Sequence, residues 1–351
     1  MAYLFAGAAP FVGDRGTSNV GGLYRREVGG AVWEKLGDGL PDDVEVRCIE
    51  IDHSAPSVLF AGTQYGLYRG SDDGANWKKL ALPDNDAVIW SVLQDPADPA
   101  TLFVGTAPHR IYRSRDGGAS WTKLDIVEPR GLVDMGFPCR VIRMAANPTN
   151  GAELYAGIEV GGVIRSLDGG DTWEDCSGDL LRLADQEHLK SSILSDTDTE
   201  GMMDSHALLV SGHSPESVLL ATRMGLFRSG DHAMNWAEMP VREFSPLTYA
   251  RDIVLSPHDP KTLYAALSDE ASGRTGSLYR STDFGETWQR LDHGIALTST
   301  LMKVAVSRDN PNRLACAARK GQVLGSEDGG QNWRDLSLPE GVADVYSVAC
   351  A

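Results

Sequence analysis

Apolar residues come in short runs from one end of the chain to the other. Leu59-Phe60-Ala61-Gly62, Leu102-Phe103-Val104-Gly105 and Leu154-Tyr155-Ala156-Gly157 are three of them. Runs of roughly four to eight residues bounded by Gly, Pro and Asp read as strands rather than helices. They fall into a repeating order of four strands, a to d. Segments 47–51, 90–93, 141–145, 207–210, 252–255 and 303–306 read as strands a. Turns such as Asp95-Pro96-Ala97-Asp98-Pro99 and Ser256-Pro257-His258-Asp259-Pro260 follow them. Strands b occupy 58–62, 101–105, 153–157, 218–221, 262–266 and 313–317. A short loop, strand c, a tight turn and strand d complete each unit.

The tight turn has a fixed wording. Its cleanest copy is Ile111-Tyr112-Arg113-Ser114-Arg115-Asp116-Gly117-Gly118-Ala119-Ser120-Trp121. Near-copies end at Trp77, Trp173, Trp236, Trp288 and Trp333, and a worn copy ends at Trp33, with spacings of 44, 44, 52, 63, 52 and 45 residues. Asp72, Asp116, Asp168, Asp231, Asp283 and Asp328 each stand five residues before the Trp. A carboxylate there can accept from the amides of its own turn. Gly74, Gly118, Gly170, Gly285 and Gly330 stand three before it, where left-handed backbone favours glycine. The first copy has Val28 in place of the Asp, and the fifth has Ala233 in place of the Gly; both turns are expected to be looser. A period in the forties with several strands per unit predicts a β-propeller with one blade per repeat.

The wording Ser-x-Asp-x-Gly-x-Thr-Trp resembles the Asp-box, or BNR repeat, of sialidases, xyloglucan-cleaving glycosidases, sortilin-type receptors and photosystem II assembly factors. The resemblance implies an all-β propeller. It leaves function open, because those families do different things on one scaffold.

Seven repeats account for all 351 residues as a single domain, 1–351. Tyr3-Leu4-Phe5-Ala6-Gly7 matches a strand b, and Asp344-Val345-Tyr346-Ser347-Val348-Ala349-Cys350 matches a strand a. The N- and C-terminal strands are therefore expected to share one blade and close a seven-bladed ring of four-stranded blades. Thirty-eight Gly and 17 Pro suit a turn-rich fold. A net charge of −17 argues against nucleic acid or an anionic membrane as partner. Five cysteines, an odd number without metal-type spacing, point to reduced thiols and a cytoplasmic location. Residues 1–10 are apolar but lack the basic stretch and length of a signal peptide, and no run approaches a membrane span.

In this order of strands the a–b turns and Asp-box turns share one face, and the d–a and b–c loops share the other. Nearly all extra length falls on the second face, which makes it the expected functional side. Segment 176–205 is the longest insertion there. Leu180, Leu183, Ala184 and Leu189 within it have helical spacing, so a short helix is expected to cap that face. The entries to strands a carry Arg47, Trp90, Arg140 or Arg143, His206, Arg251, Lys303 and Tyr346. The b–c loops add Tyr65, His109, Arg110, Glu159, Arg223, Arg319 and Lys320, with Asp14 and Arg15 from the N-terminal blade. Such a basic and aromatic funnel on an acidic protein suits a small anionic ligand.

The ligand-binding set is therefore Arg47, Tyr65, Trp90, His109, Arg143, Arg223, Arg251, Lys303 and Arg319. His206, Glu159 and Tyr346 are the candidates for proton transfer or nucleophilic chemistry in a hydrolase or lyase. The Phe/Tyr-Arg-Ile-Pro motif of sialidases is absent, and only the pair Tyr346 and Glu159 is available to imitate their Tyr–Glu pair. No cofactor or metal is expected: His109, His188, His206 and His293 lie on the functional face without ligand spacing. The alternative function is a non-catalytic scaffold, with Trp90, Tyr65, Phe137, Met202, Met203 and Met224 forming an apolar rim for a protein partner.

Overall fold

A computed structural model describes residues 2–10, 20–214, 216–342 and 344–351. Asp14 and Arg15 lie outside the described residues. The described residues form seven four-stranded antiparallel sheets. Blade 1 is Val46–Ile51, Leu59–Thr63, Gly66–Ser71 and Asn76–Lys79. The inner strands of blades 2 to 6 are Val88–Gln94, Val141–Asn147, Ser205–Val210, Tyr249–Leu255 and Leu301–Val306. Blade 7 joins the two ends of the chain. Its inner strand Asp344–Cys350 pairs with Tyr3–Ala9, for example Leu4 with Cys350 and Ala6 with Val348. Gly22–Glu27 and Glu34–Leu36 complete it. The pairing joins the two ends of the chain within one blade, and each blade keeps only short edges at the channel and the rim.

The core is divided among the gaps between blades. Phe5, Leu23 and Leu36 of blade 7 pack with Leu59, Tyr68 and Trp77 of blade 1. Leu219 and Ala221 of blade 4 pack with Ile253, Leu263 and Trp288 of blade 5. The repeated Trp thus wedges between neighbours, and losing one such ring would cost about 3–5 kcal/mol.

The Asp-box turn is a closed hydrogen-bond set. Asp116 Oδ1 accepts from the Ser120 amide at 2.8 Å and the Ser114 hydroxyl at 2.8 Å, and Oδ2 accepts from the Ser120 hydroxyl at 2.5 Å. Ser114 Oγ accepts in turn from the Gly118 amide at 2.8 Å. Asp168, Asp283 and Asp328 repeat this. The Ala233 copy is strained rather than loose. Ala233 holds φ at 67°, yet its amide still reaches Ser229 Oγ at 2.9 Å and Asp231 still accepts from Asn235 at 2.8 Å. The surrounding bonds impose the left-handed backbone on a residue that does not favour it.

Segment 176–205 holds α1 (Gly178–Ala184) and α2 (Glu200–Met203). Leu180, Leu183, Leu189, Met202 and Met203 pack with Val163 of blade 3 and Leu220 and Phe227 of blade 4. They fill the gap between those blades, together with Ala145, Leu208 and Val210 of the inner strands. Met202 and Met203 are therefore core residues, not an exposed rim.

Candidate functional site

Each inner strand carries a β-bulge at the same height. In blade 1, Val46 pairs with Thr63 and Cys48 with Gly62, which leaves Arg47 unpaired in the ladder. The same skip leaves Trp90, Ile142, His206, Arg251, Met302 and Tyr346 unpaired in the other six. A bulge re-aims a side chain, and here it turns seven of them toward the channel mouth. The next residues, Cys48, Ser91, Arg143, Ala207, Asp252, Lys303 and Ser347, make the level below, a waist, where all but Ala207 and Asp252 line the cavity and Ala207 packs between blades 4 and 5.

Mouth and waist enclose a cavity of about 50 Å³, lined by Arg47, Trp90, Arg143, His206, Arg251, Lys303 and Tyr346 among others. Arg143 and Lys303 sit one step deeper than the alternation of strand residues suggested. Ile142 and Met302 take their expected places, because the bulge inserts a residue that a strict two-residue period does not anticipate.

One side of the mouth is apolar and aromatic. Trp90 and Tyr346 meet edge to face with centroids 5.7 Å apart, and Met302 packs with them. The Arg47 guanidinium lies 4.9 Å from the Trp90 centroid and 4.7 Å from that of Tyr346. It donates to the Pro10 carbonyl at 2.9 Å and pairs with Glu45. Arg140 covers Trp90 at 4.2 Å. These contacts fix the rings in place.

The other side, from blades 3 to 5, is ionic. Arg140 pairs with Glu159 at 2.9 Å, and Arg223 with Asp204 at 2.8 Å. His206 is buried among Ala250, Asp204 and Tyr249. The Ala250 carbonyl, 2.8 Å from Nδ1, can only accept, so Nδ1 carries a proton. Nε2 lies 3.2 Å from Asp204 Oδ2 and 3.3 Å from the Tyr249 hydroxyl. Burial, helped by Arg251, holds the imidazole below its ordinary value against the pull of Asp204. Burial also pushes the Asp204 carboxyl up, but His206, Arg223 and Arg251 outweigh it and keep it well below the carboxylate range. Glu159 goes the other way, pushed by burial to about 7 against Arg140. Below the mouth, Arg143 and Lys303 converge on Asp252 Oδ1 at 3.4 and 3.0 Å.

Several donors at this site lack acceptors. Arg47 Nε, Trp90 Nε1 and Arg143 Nε are buried without a hydrogen-bond partner. Among the described residues, no hydrogen bond or ion pair reaches the Arg251 guanidinium. Leaving a buried donor unmade costs about 1–3 kcal/mol.

Three expected site residues lie elsewhere. Tyr65 donates to Asp43 at 2.6 Å, and His109 faces Glu128 at 3.1 Å. Arg319 donates to Ser272 Oγ at 2.7 Å and pairs with Asp344 at 3.3 Å. Each long loop side chain finds a partner near its own loop before it reaches the axis. Glu159 and Arg223 border the mouth through Arg140 and Asp204 but do not line the cavity. Tyr249, Asp252, Ile142 and Met302 belong to the site although the sequence did not single them out. Their signal was positional: each sits at or beside the bulge of its strand. Among the described residues no cluster of His, Cys, Asp and Glu could hold a metal ion, and no helix is long and apolar enough to cross a membrane. Glu200 accepts from the amides of Ile193, Leu194 and Ser195 at 2.8 to 3.1 Å.

Residues 279–290 match the BNR/Asp-box repeat model. The chain is a seven-bladed Asp-box propeller. No curated protein matches the chain, but many solved structures share its fold. A GH74 enzyme from Niastella koreensis is similar at a TM-score of 0.63 and 18% identity, over 86% of this chain and 46% of that one. A GH74 xyloglucanase from Xanthomonas campestris is similar at 0.63 and 17%, over 83% and 45%. The propeller thus spans under half the length of these enzymes. YCF48 from Cyanidioschyzon merolae is similar at 0.59 and 14%, over 90% of both chains. A YCF48 bound to D1 peptide is similar at 0.55 and 16%, over 86% and 82%. At these identities the likeness concerns fold alone.

Proposed function

We propose that the propeller recognises a carboxylate or similarly small anionic group at its channel mouth. The observation that carries this reading is the set of donors lacking acceptors: the Arg251 guanidinium beside the orphaned Arg47 Nε, Trp90 Nε1 and Arg143 Nε. One anion supplies acceptors to several of these at once, and hydrogen bonds to charged groups contribute about 1.5–3 kcal/mol each. A cavity of about 50 Å³ takes a head group and leaves the body of a larger molecule against Trp90 and Tyr346. Lys303 and Arg143 act from below, already shared with Asp252.

Binding is favoured here over hydrolysis or elimination. Both nitrogens of His206 face protein partners, and the Tyr346 ring packs against Trp90 and Arg47. His206 is therefore read as a holder of the Asp204–Tyr249–Ala250 frame. A second reading, a protein-binding scaffold, draws on the YCF48 chains, which match this one over 82–90% of their length, one of them bound to a peptide. Both readings use the same mouth, since a peptide also carries carboxylates.

Calorimetric titration with phenylacetate, and with phenylethanol as the uncharged control, tests the proposal. Phenylacetate is expected to bind, and Arg251→Ala to weaken it by about tenfold or more, with an unchanged or slightly raised melting temperature. Equal binding of the acid and the alcohol, or of the acid to wild type and variant, would overturn it.

A further inference from the structure

The channel continues below the waist into a wider chamber of about 420 Å³ that involves Asp252, Lys303, Leu93, Leu209, Val254 and Arg308. That volume lies in the range of small-molecule sites. Three residues past each bulge, the inner strands place Glu50, Leu93, Ala145, Leu209, Val254, Ala305 and Ala349. Each pairs with the corresponding residue of its strand b, Phe60, Phe103, Tyr155, Leu219, Tyr264, Ala315 and Phe5. Six of the seven are apolar and one is a carboxylate. Glu50 lines both the upper cavity and the lower chamber. Among the described residues no hydrogen bond or ion pair reaches its side chain.

The waist above it is balanced by comparison. Arg143 and Lys303 already share Asp252. Arg308 is exposed at the outer end of the chamber and acts on Glu50 only across a distance. The half-buried Glu50 carboxylate stands in a ring whose other six members are apolar, within a chamber that Arg143, Lys303, Arg308 and Asp252 also line, and burial pushes it to about 7, against the pull of Arg308 and Arg143. A cation in the chamber would relieve that burden, and an apolar body would displace water from the ring below.

We propose that the lower chamber binds an organic amine, its ammonium on the Glu50 carboxylate and its apolar body against Leu93, Leu209 and Val254. This chamber lies below the mouth and has the opposite charge preference, although Glu50, Arg143 and Lys303 line both. The ligands differ in the sign of their charge, so the amine series here and the acid titration at the mouth succeed or fail separately.

Hexylamine, hexanol and hexanoate share one tail and differ in the head. Titrated by calorimetry against the full chain, hexylamine is expected to bind at least tenfold more tightly than hexanol, with hexanoate weakest. Glu50→Gln should bring the amine to the level of the alcohol. Arg308→Ala should tighten the amine severalfold, because it removes the competing cation. Thermal melts of both variants confirm that they are folded. Equal binding of amine and alcohol, a preference for hexanoate, no binding of any of the three, or an amine affinity untouched by Glu50→Gln would each overturn the assignment. If Glu50→Gln does not fold, the Arg308→Ala result decides alone: a weaker amine there refutes the site.

Discussion

The Asp-box face and the channel mouth treat polar groups in opposite ways. At Asp116, Asp168, Asp283 and Asp328 both carboxylate oxygens are occupied by donors from the same turn. At the mouth, Arg47 Nε, Trp90 Nε1 and Arg143 Nε lack an acceptor, and among the described residues no hydrogen bond or ion pair reaches the Arg251 guanidinium. These four carboxylates are saturated and repeat one another, although the Asp231 copy leaves Trp236 Nε1 without an acceptor; the mouth has several spare donors and differs from blade to blade. Saturated groups hold a fold together. Spare ones cost stability, and their presence is understandable where something else is meant to fill them. The contrast separates scaffold from site without reference to any relative.

Both faces exist only while the ring is closed, so the severest way to break the comparison is to open it. Removing 345–351 deletes the inner strand of blade 7, along with Tyr346 at the mouth and Ser347, whose hydroxyl accepts from the Ile49 amide at 3.1 Å. It also strips the inner partner from Tyr3–Ala9, which opens that edge while Gly22–Glu27 still pairs on the other side. The expected outcome is loss of the cooperative thermal transition for the whole chain, since total stability is typically about 5–15 kcal/mol. A truncated protein that melts like the full chain would refute closure as the source of stability.

The turns were legible because their chemistry is local. The Asp, the residue four positions later and the Trp lie within one turn, and their bonds need nothing from elsewhere. Closure was legible because a strand b at one end and a strand a at the other leave no alternative partner. The mouth was legible only in part. Arg47, Trp90, His206, Arg251 and Tyr346 were found because each opens an inner strand. The bulge then moved Arg143 and Lys303 down a level, and no local pattern marks a bulge of this kind. The group Arg140, Glu159, Asp204, Arg223 and Tyr249 comes from three blades, so its pairings belong to tertiary structure. Tyr65, His109 and Arg319 were misplaced because a loop residue's height says little about which way a long side chain turns.

Acidity gives a milder test, since the two regions should respond with opposite sign. Asp116, Asp168, Asp283 and Asp328 are held at about 2, below the ordinary 3.8, chiefly by hydrogen bonds within their turns. A depressed carboxyl contributes stability above its unfolded value, and that contribution is lost as pH falls toward the folded value. Glu159 and Glu50 are pushed to about 7, and Asp252 to about 6, by burial. A raised carboxyl favours the protonated fold, so stability falls as pH rises through 6 to 7. Together they predict a maximum in melting temperature near about pH 5, with a steep acid side and a shallower side toward neutrality. Asp283→Asn should soften the acid side, and Glu159→Gln the neutral side. A melting temperature that rises steadily from pH 5 to 8 would contradict the assignment of the channel carboxyls.

The smallest effects come from the Ala233 copy of the turn. Gly118 and Ala233 occupy the same place in two Asp-boxes, at φ 91° and 67°. A methyl added at Gly118 would lie 2.7 Å from Leu80 Cδ1 in a left-handed backbone. Gly118→Ala is therefore expected to destabilise by about 1–3 kcal/mol. The reverse change is different. Ala233→Gly relieves about 1–2 kcal/mol of left-handed strain. It also gives up a buried methyl worth about 0.8 kcal/mol and some backbone entropy. The net should fall within about 1 kcal/mol of zero. Denaturant melts of the two single variants measure the asymmetry directly. Equal losses in both would mean that the Ala233 turn is not strained, and that the hydrogen bonds of the Asp-box, rather than its glycine, set the backbone at no cost.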